Sequence, residues 1–554
     1  MRLISVVRCL VGWCCIQWLG AATHGVVATV HPLATAAAKS AMDRGGNAVD
    51  AAVAAGLTLG VVDGFNSGIG GGCFILIRTA GGEIVAIDGR ETAPAAASRD
   101  MFLRDGKAVP ALSQTGALAV GVPGALAAYD DALRRFGKLD LADLLEPAAK
   151  IAEEGFELDR AYVERLKSVC GELAKVPASR AVLLDPEGKP WPVGHRLVQR
   201  DLAASYRAIA AEGTGWFYRG PFARATAAWM KENGGLLTGE DFAAYRPKDR
   251  EPVRSQYRGH EIVGFPPPSS GGVHVAQILN ILENFEVGSM GADSADFVHV
   301  VSGAMKLAFA DRAWWLGDPE FAPVPRGLLD RGYAKQLAER IPMDRAIEVP
   351  EHGTPPAAAT DVFKHTTHFT AADGEGNWIA VTATINTTFG SKVIVPGTGI
   401  VLNNEMDDFS AQPGVPNFFG LVGNEANAVA PGKRPLSSMS PTLVLKEGKP
   451  VFSAGAAGGP TIISQTLLAV IDHIDFGDAP AAALKRPRFH HQWRPDEIRI
   501  ERGFGDEVIK ELRRRGHTVR VMDAFGACQA IGQGPGGSFH GAHDPRIRGE
   551  ATAW

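Results

Sequence analysis

Thr366-Thr367-His368-Phe369-Thr370, then Asp373-Gly374-Glu375-Gly376-Asn377, then Trp378 to Asn386: this stretch reads as two strands around a turn. The second strand is rich in β-branched residues, and the Asp, Gly and Asn cluster is turn chemistry. A hairpin centred on Glu375 sets Thr366 opposite Thr384. Side chains alternate faces along a strand, so Asn386 shares the face of Thr384. A slip of one residue would turn every side chain over, which makes the register a sharp expectation. Pattern alone favours ordinary β-propensity for these threonines. The sequon match at Asn386-Thr387-Thr388 is a short, weak pattern.

The hairpin begins where the texture of the chain changes. Glu348 to Lys364 contains Gly353, Pro355 and Pro356 and reads as an exposed segment. Further upstream, Gly45-Gly46-Asn47 precedes an apolar run over Asp50–Val62, read as a buried helix with Asn47 as its N-cap. Cys73–Arg78 and Glu83–Ile87 read as strands, which leaves Arg90 at a strand end. Leu141 to Trp314 reads as mainly helical, interrupted by a loop or linker at Phe265-Pro266-Pro267-Pro268-Ser269-Ser270-Gly271-Gly272.

A chain of 554 residues needs several domains or one large layered domain. A net charge of −5 leaves no basic footprint for nucleic acid. Residues 1–22 read as a signal peptide: Arg2 and Arg8, an apolar run from Leu10 to Leu19, then Gly20-Ala21-Ala22. That implies a periplasmic or secreted protein. Cys73, Cys170 and Cys528 remain after the leader, far apart and without metal spacing, and read as small buried hydrophobes.

Several longer motifs occur in fixed order. They are Asp88-Gly89-Arg90-Glu91, Thr366-Thr367-His368, Asn386-Thr387-Thr388-Phe389-Gly390 and Asn403-Asn404-Glu405-Met406-Asp407-Asp408-Phe409. Pro435-Leu436-Ser437-Ser438-Met439-Ser440-Pro441, Gly458-Gly459, Arg488-Phe489-His490-His491-Gln492 and Gly541-Ala542-His543-Asp544-Pro545-Arg546 follow. Together they resemble the γ-glutamyltransferase family over nearly the whole chain after the leader. The resemblance implies the four-layer αββα sandwich of N-terminal-nucleophile hydrolases. It implies a proenzyme cut between His365 and Thr366 into a large subunit, 23–365, and a small catalytic subunit, 366–554, which stay together as a heterodimer. It implies glutathione and other γ-glutamyl compounds as donors, water or amino acid and dipeptide acceptors, and neither metal nor cofactor.

The roles implied make chemical sense. A threonine hydroxyl needs a base beside it, and a freed α-amine, with a pKa of about 8, can serve. Thr366 would be that nucleophile, oriented by Thr384. The γ-glutamyl head group carries an ammonium and a carboxylate, so it needs a cation and an anion placed apart. Arg90, Ser437 and Ser438 match the carboxylate site, and Glu405, Asp408 and Asn386 the ammonium site. Gly458 and Gly459, ahead of Pro460 and an apolar helix over Thr461–Ile474, suit an oxyanion hole.

Two departures stand out. Phe419 occupies a lid position where many bacterial relatives have Tyr, and a Phe donates no hydrogen bond. Pro460-Thr461 replaces the Ser-Arg common after the two glycines. A related acylase acting on cephalosporin-type amides, an enzyme processing poly-γ-glutamate, or an unprocessed binding protein are the alternatives. There is no nucleophile elbow and no phosphate loop. The adjacent His490 and His491 would point apart, which is poor for sharing a metal.

Overall fold

The hairpin forms in the expected register. Thr367–Asp373 and Trp378–Thr384 pair antiparallel, with Thr367 opposite Ala383 and Ala372 opposite Trp378. The computed structural model describes residues 22–356 and 367–554. The expected leader (save its last residue, Ala22), His365 and Thr366 lie outside the described residues.

The hairpin is central in a seven-stranded sheet. Its hydrogen-bonded order is Glu550–Ala553, Gly25–Thr29, Thr367–Asp373, Trp378–Thr384, Gly72–Arg78, Ile84–Gly89 and Lys248–Arg250. A second sheet of six runs Phe539–His543, Ala527–Gln533, Lys449–Ala457, Thr442–Lys446, His260–Gly264 and Val253–Tyr257. Each sheet takes strands from both sides of residue 365, so a cut there leaves the two parts joined by sheet hydrogen bonds.

Side-chain alternation sorts the strands into layers. Along Gly72–Arg78, Cys73, Ile75 and Ile77 face a helical layer that includes Pro32–Asp43, Ala48–Val62 and Leu141–Glu154. Phe74 and Leu76 face the other sheet, where Phe74 stacks on Phe265 at 4.2 Å between ring centroids. On the far side of the six-stranded sheet, Val444, Phe452 and Ala454 pack against Ser270–Leu282, Ala295–Trp315 and Thr461–Ile474. The result is helix, sheet, sheet, helix: the αββα sandwich of the N-terminal-nucleophile hydrolases.

Two expectations change. The region read as helical from Leu141 contains three strands between Lys248 and Gly264, turned at Arg258-Gly259, both with positive φ. Phe265–Gly272 is not a linker. Ser269 caps a helix that begins at Ser270 and takes Gly271 and Gly272 into its first turn. The buried helix is Ala48–Val62, with Asn47 and Asp50 forming a capping box. No helix of the described residues is long and apolar enough to cross a membrane.

Candidate active site

The start of Thr367–Asp373 opens onto a cleft of about 350 Å³, lined among others by Thr367, Asn386, Gly458, Gly459, Phe419 and Asp63. Thr384 lies at the end of the neighbouring strand and is 1% exposed. The strand stops there, two residues short of the expected end at Asn386. Gly71 explains the fit at this point: a Cβ on it would stand 1.8 Å from the Thr384 carbonyl oxygen. Asn386 therefore does not share the face of Thr384 by strand alternation. Its φ is +75°, its N–H donates to Thr384 Oγ1 at 2.7 Å, and its Nδ2 donates to the Asn404 carbonyl at 3.0 Å. These bonds hold a left-handed residue that would otherwise cost energy. They leave Asn386 Oδ1 buried without a hydrogen-bond partner at the cleft. Thr367 Oγ1 is also buried there and makes no hydrogen bond among the described residues.

Across the cleft, Gly458 and Gly459 have φ of +127° and +63°, which favours glycine. Among the described residues neither N–H donates to a partner. The Gly458 carbonyl accepts from Thr461 Oγ1 at 2.7 Å, and Gln465 Nε2 donates to the Ala457 carbonyl at 2.9 Å. The turn is thus braced from behind while its amides stay available, at the start of the 14-residue helix Thr461–Ile474. Pro460 stands one place earlier than expected, as the cap. Thr461, at one of the two departures, supplies the brace.

The charged residues do not stand apart as expected. Arg90 is wholly buried and pairs with Glu405, with Asp408 at 3.0 Å and with Glu91 at 3.3 Å. Shut off from bulk solvent, opposite charges pair with each other. Burial raises Glu405 well above the usual carboxylate range, with Arg90 opposing and Glu91 and Asp408 adding to the rise. Burial raises Glu91 too, against the pull of Arg90. The cluster holds itself near neutrality by pairing and by protonation.

Ser437 and Ser438 are also fully buried. Ser438 Oγ accepts from Arg312 Nη2 at 3.3 Å, and Arg312 Nε donates to Ser270 Oγ at 3.1 Å. Burial draws the Arg312 guanidinium down to about 10, against the pull of Asp408. Arg312 is a second arginine at this site that the sequence reading did not single out. Its one signal was a cation inside the largely apolar helix Ala295–Trp315.

A loop connects the buried cluster to the cleft. Asn417 Nδ2 donates to Asp408 Oδ1 at 3.2 Å, and Asn417 Oδ1 accepts from the N–H groups of Phe419 and Leu421. Phe419 reaches the cleft and lies on Gly459: a Cβ there would stand 2.7 Å from Phe419 Cδ1. Asn417 closes this loop without any phenol. Cys73, Cys170 and Cys528 are free thiols, the first and last buried. His490 bonds Ser464 and Gln492, while His491 bonds Asp496. Among the described residues no group of three His, Cys, Asp or Glu is arranged to hold a metal.

Two strands of the hairpin type, an unpartnered glycine turn and an asparagine facing one cleft, on an αββα frame, define the class: an N-terminal-nucleophile hydrolase. Residues 34–554 match the gamma-glutamyltranspeptidase family, and the chain belongs to it. A glutathione hydrolase proenzyme of Escherichia coli strain K12 is 45% identical over 96% of this chain and 92% of its own. The acylase ACY 1 proenzyme of Pseudomonas sp. strain SE83 is 41% identical over 96% and 94%. The crystal structure of cephalosporin acylase from Bacillus halodurans superposes with a TM-score of 0.86 at 31% identity, covering 97% of this chain and 96% of that one.

Proposed function

We propose that this enzyme is a glutathione hydrolase and γ-glutamyltransferase matured by its own cleavage between His365 and Thr366. The observation that carries the reading is the cleft. Thr367, next in sequence to the proposed nucleophile, shares it with Gly458, Gly459 and Asn386. In the precursor, Thr366 Oγ attacks the His365 carbonyl, the peptide C–N bond breaks and frees the Thr366 amine, and hydrolysis of the resulting ester then releases the Thr366 hydroxyl and the His365 carboxylate. That amine then accepts the hydroxyl proton as Oγ attacks the γ-glutamyl carbonyl. The ladder that pairs Thr367 with Ala383 supports Thr384 as the residue that orients this hydroxyl. The free amides of Gly458 and Gly459 receive the oxyanion. The α-carboxylate of the donor takes the place of Asp408 at Arg90, and its ammonium settles against Asp408 and Glu405, with Glu405 giving up its proton as the ammonium arrives. Ser437, Ser438 and Asn386 complete the head-group site. Export by the leader belongs to the same reading.

Thr366→Ala is expected to stay a single chain and to release no glutamate from glutathione. Intact mass and an amine-release assay read both, and a processed, active variant would overturn the nucleophile. The ACY 1 and cephalosporin acylase relatives support a second reading, cleavage of side-chain amides. Turnover of a glutaryl amide with none of glutathione would favour it.

A further inference from the structure

The cleft has a wall that the acylation step leaves unused. Asp63 follows Ala48–Val62 as its C-terminal cap and is 6% exposed. A carboxylate there faces the negative end of the helix dipole, an unfavourable place. Both its oxygens accept from Asn66 Nδ2, at 3.1 and 3.2 Å. Burial pushes Asp63 up to about 7; Asn66, Arg165 and Thr367 pull it down and Asp159 adds to the rise. Tyr162 stands close enough for its phenol to be pushed up by Asp63, after burial. All of these line the one cleft. Beside them lies the buried Thr367 Oγ1, near enough to Asp63 to favour its charged form. Arg165 is on the exposed side of its helix, 6.0 Å over the Phe65 ring, with no ion pair among the described residues.

We infer that this wall is the entry for the second substrate, an amine bearing a carboxylate, with Asp63 taking the ammonium proton and Arg165 facing the carboxylate. The inference rests on the acyl-enzyme reading above. An α-amine with a pKa of about 8 arrives mostly protonated at neutral pH, and an ammonium is no nucleophile. Passing its proton to an ordinary carboxylate is uphill by about 4 units, and to a carboxylate matched to neutral pH by about one. The step balances. The R–NH3+ proton moves to the Asp63 carboxylate, and the freed nitrogen bonds to the acyl carbon. The ester bond to Thr366 Oγ breaks, the second nitrogen proton ends on that oxygen, and Asp63 returns its proton to solvent. A merely structural Asp63, tying down the turn to Asn66, would do none of this.

The test uses the full-length processed enzyme with glutathione as donor. Glycylglycine and glycylglycinamide serve as acceptors, and transfer is measured against hydrolysis. The wild type is expected to prefer glycylglycine, and Arg165→Gln to erase that preference. Asp63→Asn is expected to lower the transfer-to-hydrolysis ratio about tenfold or more. In the wild type, transfer rises with pH through about 7; in Asp63→Asn that limb moves to about 8, the amine's own value. An unchanged ratio, equal loss of both reactions, or a preference kept in Arg165→Gln overturns the inference. If Asp63→Asn does not process, Arg165→Gln and the wild-type limb decide. A wild type that ignores glutathione but cleaves a glutaryl amide defeats the donor reading alone, and the same ratios are read with that donor. A wild type idle on both defeats both.

Discussion

The cleft and the buried charge cluster offer a ligand different kinds of polar group. At the cleft, Thr367 Oγ1, Asn386 Oδ1 and the amides of Gly458 and Gly459 make no hydrogen bond among the described residues. In the cluster, Arg90 is answered by three carboxylates and shut from solvent. Unpaired buried groups cost stability, so they mark where a ligand is to complete the set. The ion cluster offsets its charges internally but, among the described residues, still leaves Arg90 Nε, Glu91 Oε1 and both Glu405 oxygens without a hydrogen bond that a ligand could supply. A donor carboxylate enters it by exchanging like charge for like. The two regions therefore divide the work: one waits for changing charge during reaction, the other recognises fixed charge before it.

The largest expected effect comes from opening the cluster. Arg90→Met leaves buried carboxylates uncompensated and should cost about 3–5 kcal/mol, read as a fall in the denaturant midpoint of the processed enzyme. An Arg90→Met enzyme of wild-type stability would break the picture of a self-neutralised cluster. Gly459→Ala strikes the other region. Its φ of +63° and the 2.7 Å approach to Phe419 forbid a Cβ without movement. A displaced oxyanion amide lowers kcat about 10²–10³-fold; equal loss of stability and no change in kcat would deny the amide its role.

Smaller changes sharpen the contrast. Asn417→Ala removes the bond to Asp408 that links the regions and should lower kcat/KM about tenfold, whereas Phe419→Tyr should change it by less than about threefold. The reverse ranking would return the lid to the phenol. Least of all is Glu405→Gln at mildly acidic pH, because burial already holds that carboxyl protonated. Its effect should grow with pH. A carboxyl raised in the folded state favours folding below its unfolded value of 4.5, and that contribution is lost as pH rises toward the folded value. The melting temperature of the wild type should therefore fall more steeply above pH 4.5 than that of Glu405→Gln. Parallel curves would show Glu405 to be ionised.

What could be read in the linear chain was what depends on neighbours in sequence. The Glu375-centred register follows from turn chemistry and two-residue alternation. The Asn47 cap, the strand ending before Arg90 and the glycine turn before Thr461–Ile474 follow from local propensity. Motif order alone carried the family. Tertiary contacts decided the rest. Asn386 leaves the strand because Asn404, 18 residues on, takes its amide. Arg90 turns to Glu405 and Asp408 because it is wholly buried, and burial is not written in spacing. Neither Arg312 nor Asp63 stood out in the linear chain. Part of each surrounding comes from far along the chain, Ser438 for Arg312 and Thr367 for Asp63, and only folding brings those segments together.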